Sequence, residues 1–293
     1  MKSLLIGSAL SSQEIFKVLI SNKRTKLCGI ITLKEKNIGD RVSLEESARH
    51  NKIDCLALDN YDEKIVYKFV KKKNPDLIFC IGWNFVLSKR IFNSSKFLSI
   101  GFHPCPYPFG KGRHPIIWSI ILDVDFIYNV FFKISEKIDR GHILSKEKIL
   151  LKRNESSTSL YKKILKRIGP QTKKLINSIA DNNFKLEKQQ NFSHYWRKRT
   201  IKDGRINFLM NFKSIIKIHN ALKYPYPGCS IFFNGNDYKI INIKKVRSKD
   251  KKYLEPGKII KVIDKDVIVK TFDEVAKFTL EQKISGIKPG DYF

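Results

Sequence analysis

Three consecutive stretches, SLLIG (3–7), SSQEIFKVLISN (11–22) and KLCGIITL (26–33), decide the fold class. SLLIG is a short apolar run closed by a glycine, the pattern of a buried strand. In the second stretch Ile15, Val18 and Leu19 recur at helical spacing behind Ser11 and Ser12, which suit a helix start. KLCGIITL returns to a strand pattern. The alternation then continues. SLEESARHNK (43–52) reads as a helix with acidic residues in its first turn, CLALD (55–59) as a strand, YDEKIVYKFVKKKN (61–74) as a helix, and DLIFCIGW (76–83), entered through Pro75, as a strand. Short apolar strands separated by amphipathic helices predict a Rossmann-like, mostly parallel α/β sheet flanked by helices. Ligands of such sheets bind beyond the carboxyl ends of the strands.

Residues 98–144 have a different texture. LSIGF (98–102) reads as a strand running into the proline- and glycine-rich loop HPCPYPFGKGRHP (103–115), after which a helix containing Trp118 is expected to begin at Pro115. NVFFKI (129–134) and GHILSKEKILL (141–151) read as strands. A helix over LYKKILKRIG (160–169) is expected to end or kink at Gly169-Pro170. Beyond about residue 190 the periodicity changes. A short helix around 211–223 precedes the β runs CSIFFNG (229–235), DYKIINIKKV (237–246), GKIIKVID (257–264), DVIVKTF (266–272) and AKFTLEQKI (276–284). These predict a smaller C-terminal β-barrel or sandwich, with domains at 1–190 and 191–293.

A length of 293 residues suits about two domains. With 42% hydrophobic and 12% aromatic residues the chain is too apolar to be disordered. No apolar run reaches the roughly 18 residues of a membrane span, and the opening MKSLLIGSALSSQEIF lacks the pattern of a secretory leader. The five cysteines are widely spaced, without a Cys-x-x-Cys pair, which excludes a disulfide framework or zinc ribbon and fits a cytoplasmic protein. A net charge of +29 admits a polyanionic partner, since a basic surface gains affinity by releasing phosphate counterions. The excess is scattered lysine, however, as in KKK at 71–73 and the pairs at 173–174, 244–245 and 251–252. Scattered lysine of this kind is equally expected from composition alone.

Chemistry is expected in the central loop. His103 precedes Pro104, which holds it away from helical geometry, and Asp139 lies in a turn after the strand at 129–134. An imidazole and a carboxylate at two strand ends suit proton transfer, because the carboxylate orients the ring and raises its basicity. The same two residues also read as ordinary loop and turn residues, and the pattern by itself leaves both open. There is no Gly-x-Gly-x-x-Gly after the first strand, which disfavours a nicotinamide cofactor. His142, His194 and His219 have no ligand spacing to one another or to cysteine, so no metal is expected.

The order SIGFHPCPYPFGKGRHPIIWSIIL, IDRGHIL, HYWRKRTIKDGRINF and ALKYPYPGCSIFFNG resembles the formyltransferase family over about residues 1–240. That family includes methionyl-tRNA formyltransferases and sugar N-formyltransferases. The resemblance implies formyl transfer from N10-formyltetrahydrofolate to a primary amine. His103 would then lie beside the formyl group and Asp139 would contact the folate and handle protons. Ile81, Gly82, Trp83 and Phe85 would be pterin neighbours, although Trp83 and Phe85 also read as core aromatics. Lys111, Arg113 and His114 would meet the amine substrate, the first two through its phosphates, unless they are solvated loop residues. One departure stands out. Where the family has Asn two positions before the histidine, this sequence has Gly101. Three replacements are conceivable: Asn84 from a neighbouring strand end, main-chain N–H groups, or a protonated His114. If main-chain N–H groups suffice, Gly101→Asn is expected to be tolerated, because the loop in relatives accommodates the larger residue.

The altered loop, the length and an apparent abbreviation after residue 247 favour the sugar branch. The amine would be that of a nucleotide-linked amino deoxysugar, with dTDP or GDP as the nucleotide, of the kind used in O-antigen and other bacterial surface polysaccharides. The alternatives are a methionyl-tRNA formyltransferase and a basic RNA-binding relative that has lost catalysis. The small C-terminal domain offers a surface for a homodimer.

Overall fold

The computed structural model describes residues 1–34, 39–190, 195–249 and 251–293. His194, considered above as a metal ligand, lies outside the described residues. In chain order the elements are β1 (Lys2–Ile6), α1 (Leu10–Ser21), β2 (Lys26–Leu33), α2 (Glu45–His50), β3 (Cys55–Leu58), α3 (Glu63–Lys73), β4 (Leu77–Cys80) and α4 (Lys89–Phe92). Next come β5 (Leu98–Cys105), β6 (Lys111–Gly112), α5 (Pro115–Ile121), β7 (Phe126–Lys133), β8 (Ile143–Leu150), α6 (Ser157–Ala180) and β9 (Tyr195–Trp196). The last are α7 (Phe212–Ala221), β10 (Ser230–Phe233), β11 (Asn236–Val246), β12 (Ile259–Ile263), β13 (Asp266–Lys270) and β14 (Val275–Leu280).

Seven strands form one sheet in the order β3-β2-β1-β4-β5-β7-β8. The first five run parallel, as the strand and helix alternation requires, and β7 is antiparallel to both of its neighbours. Strand periodicity sends alternate side chains to opposite faces. Leu5, Phe79 and Ile100 pack on one face with Ile15 and Leu19 of α1 and Ile176 and Ile179 of α6. Leu4, Ile6 and Ile78 pack on the other with Val66 and Val70 of α3 and Ile91 of α4. Both faces are therefore covered, which is why these strands read as continuous apolar runs. Local signals agree: Asp62 caps α3 by accepting from the Lys64 and Ile65 amides, and Asn74 closes it in the left-handed conformation.

Two sequence expectations change. α6 does not end at Gly169-Pro170 but runs through Pro170 to Ala180. An interior proline costs about 3 kcal/mol, whereas Leu175, Ile176 and Ile179 beyond it are all buried and stabilise by about 1.5–3 kcal/mol each. Burial wins. β5 likewise does not stop at residue 102. Its pairing with β7 continues through His103↔Val130 and Pro104↔Asn129 to Cys105↔Tyr128. β4 accompanies β5 only as far as Gly101, so Pro104 occupies a stretch with β7 as its one neighbour, an edge setting that tolerates a missing N–H. His103 therefore projects from a strand rather than from a loop.

The chain divides into two compact units that are not simple halves of the sequence. One comprises Met1–Pro115, Val124–Leu151 and Leu160–Trp196, and the other Ile116–Asp123, Lys152–Ser159 and Arg197–Phe293. The second holds an antiparallel five-stranded sheet in the order β10-β11-β14-β13-β12. Ile240, Val267, Val269 and Phe278 of these strands are buried, as are Ile215 and Ile218 of α7. Among the described residues no helix is long and apolar enough to cross a membrane.

Candidate active site

His103 and Asp139 come together. The ring is 9% exposed, and its Nδ1 lies 3.9 Å from Asp139 Oδ2. On the other side Nε2 lies 2.9 Å from the Gly110 carbonyl oxygen. A carbonyl can only accept, so Nε2 carries a proton and donates it there, which leaves the Nδ1 lone pair directed towards the carboxylate in the neutral ring. A gap of 3.9 Å is too wide for a direct hydrogen bond. The basic nitrogen and the carboxylate thus face a common space in which an amine proton can be received.

The loop after β5 builds this pair with its main chain. Gly110 fixes the ring, and the Gly112 N–H donates to Asp139 Oδ2 at 3.3 Å. β6 is held in place by parallel pairing with β9, and the Arg113 N–H donates to the Trp196 carbonyl at 3.0 Å. Asp139 itself adopts φ +54, a conformation that aspartate accepts more readily than most residues. Two residues on, Gly141 crosses directly over the Lys133 carbonyl, and a Cβ there would overlap that oxygen. The Asp-x-Gly turn is thus a close main-chain crossing that only glycine permits.

Gly101 has a different reason to be glycine. It pairs with Phe132 across β5 and β7, and a Cβ at position 101 would meet the Phe132 ring at 2.5–3.1 Å. Phe132 is itself buried with Cys105, Tyr107, Val130 and Ile143. Because residues two apart share a strand face, the ring occupies the side of β5 from which His103 projects. Tolerance of Gly101→Asn, expected if main-chain groups suffice, therefore requires the Phe132 ring to move out of the space that side chain would take.

The other candidates are distributed unevenly. Asn84 is exposed, and it joins the loop through its carbonyl, which accepts from Arg113 Nη1 at 3.2 Å. Arg113 is exposed, while His114 is half-buried at φ +55. Lys111, whose pattern also admitted a solvated charge, is 3% exposed. Burial first, and Arg140 second, hold its ammonium below the usual lysine range. The two nearby thiols are held in the protonated form. Burial, with a smaller push from Asp139, raises Cys80 to about 12 and raises Cys105 still further.

At the carboxyl ends of β3 and β4 lies an aromatic cluster. Tyr61 stacks on Phe85 with ring centroids 5.0 Å apart, and Trp83 meets both, edge-on to Tyr61 at 6.0 Å and tilted to Phe85 at 5.5 Å. Phe85 is 39% exposed. The Tyr61 hydroxyl and the Trp83 indole N–H are buried with no hydrogen-bond partner among the described residues. Burial also raises the Tyr61 hydroxyl to about 12, so it remains a donor at neutral pH. Tyr61 was missed in the sequence, although an aromatic just past a parallel strand is the available signal. Ile81 is buried with Leu5, Phe79 and Ile100, in the core on the opposite face of the sheet from the one Tyr61 and Trp83 pack against, and Gly82, at φ +59, packs against Ala9, Ser11 and Ser12 at the start of α1. Among the described residues no group of three or more His, Cys, Asp or Glu side chains could hold a metal ion.

With this geometry in place, comparison with known proteins is informative. Residues 3–172 match the family described as formyl transferase, and residues 199–288 match the formyl transferase C-terminal domain. The chain belongs to the formyltransferase family. The C-terminal match also corrects the reading of an abbreviation after residue 247, because it continues to residue 288. The chain is 27% identical over 239 residues to the bifunctional polymyxin resistance protein ArnA of Wigglesworthia glossinidia brevipalpis, covering 80% of this formyltransferase and 36% of that longer protein. It is also 27% identical over 215 residues to the methionyl-tRNA formyltransferase of Clostridium tetani, with 73% and 68% of the two chains covered. Among solved structures, an N-formyltransferase from Helicobacter canadensis, in complex with folinic acid and dTDP-3-aminofucose, superposes with a TM-score of 0.67 at 18% identity. That match covers 97% of this chain and all of the other, and it shows a shared fold.

Proposed function

We propose that this chain transfers a formyl group from N10-formyltetrahydrofolate to the primary amine of a nucleotide-linked amino deoxysugar. The observation that carries the reading is the His103–Asp139 pair, held by the main chain of Gly110 and Gly112 within a formyltransferase fold. The amine nitrogen attacks the formyl carbon, and the carbonyl π pair moves onto oxygen. Nδ1 of His103 and the Asp139 carboxylate receive the proton that the nitrogen must lose, and the same pair returns it to N10 as the C–N10 bond breaks. Catalysis is assigned to residues 1–190, with residues 191–293 as the smaller domain.

The aromatic cluster fits a pterin. A flat heterocycle beside Phe85 would supply acceptors for the two buried, unpartnered donors on Tyr61 and Trp83, whose isolation otherwise costs about 1–3 kcal/mol each. Gly82 would form the adjoining wall, and Asp139 would reach the same ligand from the other loop. Arg113, exposed next to the site, is assigned to a phosphate of the sugar nucleotide, with His114 beside it. A full-length fold match to an enzyme crystallised with a dTDP-linked amino sugar supports this branch.

A second reading has its own observation. The sequence relatives include methionyl-tRNA formyltransferases, and a basic groove of about 470 Å³ is lined by Lys148, Lys162, Lys163, Lys166 and Arg167. It shares no residue with the site described above. The deciding experiment offers N10-formyltetrahydrofolate together with a panel of dTDP-, GDP- and UDP-linked amino sugars, or with charged initiator tRNA, and weighs the products. A mass gain of one formyl group on a sugar nucleotide supports the proposal. Formylation of the tRNA alone transfers it to the second reading.

A further inference from the structure

Lys111 lies at the centre of the loop that builds the site, between Gly110, which fixes His103, and Gly112, which fixes Asp139. It is 3% exposed, and its ammonium has no hydrogen-bond or ion-pair partner among the described residues. Asp139 acts on it electrostatically without pairing with it, and Arg140 adds a like charge. The side chain is enclosed, yet Nζ is not among the side-chain atoms sealed from water without a partner, so the charge is partly desolvated and keeps a narrow opening to solvent at the site.

An unpaired, largely enclosed cation beside a proton-transfer pair is suited to negative charge that appears only during a reaction. Attack on a formyl carbon creates such charge on oxygen. Gly101 offers no side-chain donor for it, and the Phe132 ring fills the space above. We propose that the Lys111 ammonium is the group that holds the oxyanion of the tetrahedral intermediate. Lys111 donates hydrogen bonds and keeps its protons. The proton of the attacking amine passes through His103 and Asp139 to N10, so the step balances without a further reactant. This assignment rests on the formyl-transfer reading above, and it differs from a lysine that anchors a substrate phosphate, which would act equally before and during the reaction.

The test compares Lys111→Met and Lys111→Arg with the natural chain, on whichever amine that chain formylates. For Lys111→Met the expected result is a kcat lower by about 10²–10³. The KM values for amine and folate should stay within about twofold, the signature of an interaction made only in the transition state. Its melting temperature should not fall, since no hydrogen bond or ion pair is removed and the enclosed stem is replaced by a thioether of similar length. Lys111→Arg, which keeps the charge, should recover part of the rate. A raised KM for the amine with kcat unchanged would overturn the assignment in favour of a phosphate anchor. Unchanged kinetics, or a loss of melting temperature with normal turnover per folded molecule, would overturn it in favour of a structural role. A natural chain that formylates none of the amines overturns the formyl-transfer reading itself, and this assignment with it, before any variant is made.

Discussion

Two histidines of this chain are buried almost equally, yet only one is equipped for chemistry. His103, at 9% exposure, has a carbonyl on one nitrogen and a carboxylate facing the other. His219, at 7%, has the Cys229 thiol 3.5 Å from Nδ1 and the cation Lys223 in its electrostatic surroundings. Burial first, and Lys223 second, lower His219 to about 4, so it is neutral at pH 7 and cannot exchange protons near neutrality. Burial pushes its Cys229 partner up to about 12. Enclosure beside a cation thus silences an imidazole, whereas a carboxylate within reach leaves one suited to proton transfer. His103 is a candidate base because Asp139 and Gly110 address its two nitrogens separately.

The largest effect that would break this comparison is at the active pair. His103→Ala and Asp139→Asn should each lower formyl transfer by about 10²–10⁴, with unfolding curves close to those of the natural chain. His219→Leu should leave kcat unchanged. Near-normal turnover by well-folded His103→Ala would remove the proton-transfer assignment and leave the two histidines equivalent.

Next in size is a pH effect on stability, expected of His219 and not of His219→Leu. A histidine whose folded value lies near 4 binds fewer protons when native than when unfolded at any pH between about 4 and 6.5. Its share of stability is complete above about 6.5 and is lost as pH falls towards 4, by about 2–3 kcal/mol in all. Thermal unfolding from pH 7.5 to 4.5 should show this slope in the natural chain and a flatter one in His219→Leu. Parallel slopes would mean that His219 is already solvated.

Much of the fold could be read from periodicity. Leu4 to Ile6 and Leu77 to Phe79 are apolar throughout, and Ile15, Phe16 and Leu19 are apolar on the inward side of α1, because both faces of the sheet are covered, and that requirement is visible residue by residue. What could not be read depended on neighbours distant in sequence. Pro104 suggested a strand end because the sequence does not show that β4 stops at Gly101, leaving β5 with β7 alone. Pro170 suggested a helix end because the burial of Ile176 and Ile179 against β-strands is a tertiary fact. At the site, His103 and Asp139 stand out in the sequence by residue type and by the neighbouring Pro104 and Gly141, although His103 lies on β5 and not in a loop. Lys111 was open to being a solvated charge because nothing in a lysine-rich sequence distinguishes the one lysine that β6 carries inside. Gly101 showed the loss of an amide, but not that Phe132 had taken its space.

That substitution sharpens the comparison further, since it concerns what else surrounds His103. Forcing a side chain against a packed ring usually costs about 1–3 kcal/mol, so Gly101→Asn should lower the melting temperature measurably without restoring any missing donor. Trimming the ring should relieve it. In the Phe132→Ala background, Gly101→Asn should be close to neutral, and the two changes should be strongly non-additive, as expected of residues in contact. Additive losses would show that the Phe132 ring swings away freely and that Gly101 has some other reason to be glycine.

The smallest expected effect belongs to Asn84, and its smallness is the informative point. Its side chain is exposed, and its place near the loop rests on a main-chain oxygen accepting from Arg113. Alanine keeps that oxygen. Asn84→Ala should therefore change kcat by less than about threefold, far below the 10²–10³ that accompanies loss of an oxyanion donor. Arg113→Ala, by contrast, removes the guanidinium itself and should raise the KM for a sugar nucleotide while sparing kcat, the pattern of binding lost equally from ground and transition states. If Asn84→Ala instead falls by two orders of magnitude with folate binding intact, its amide must turn inward during the reaction. The donor beside His103 would then come from the β4 loop and not from β6.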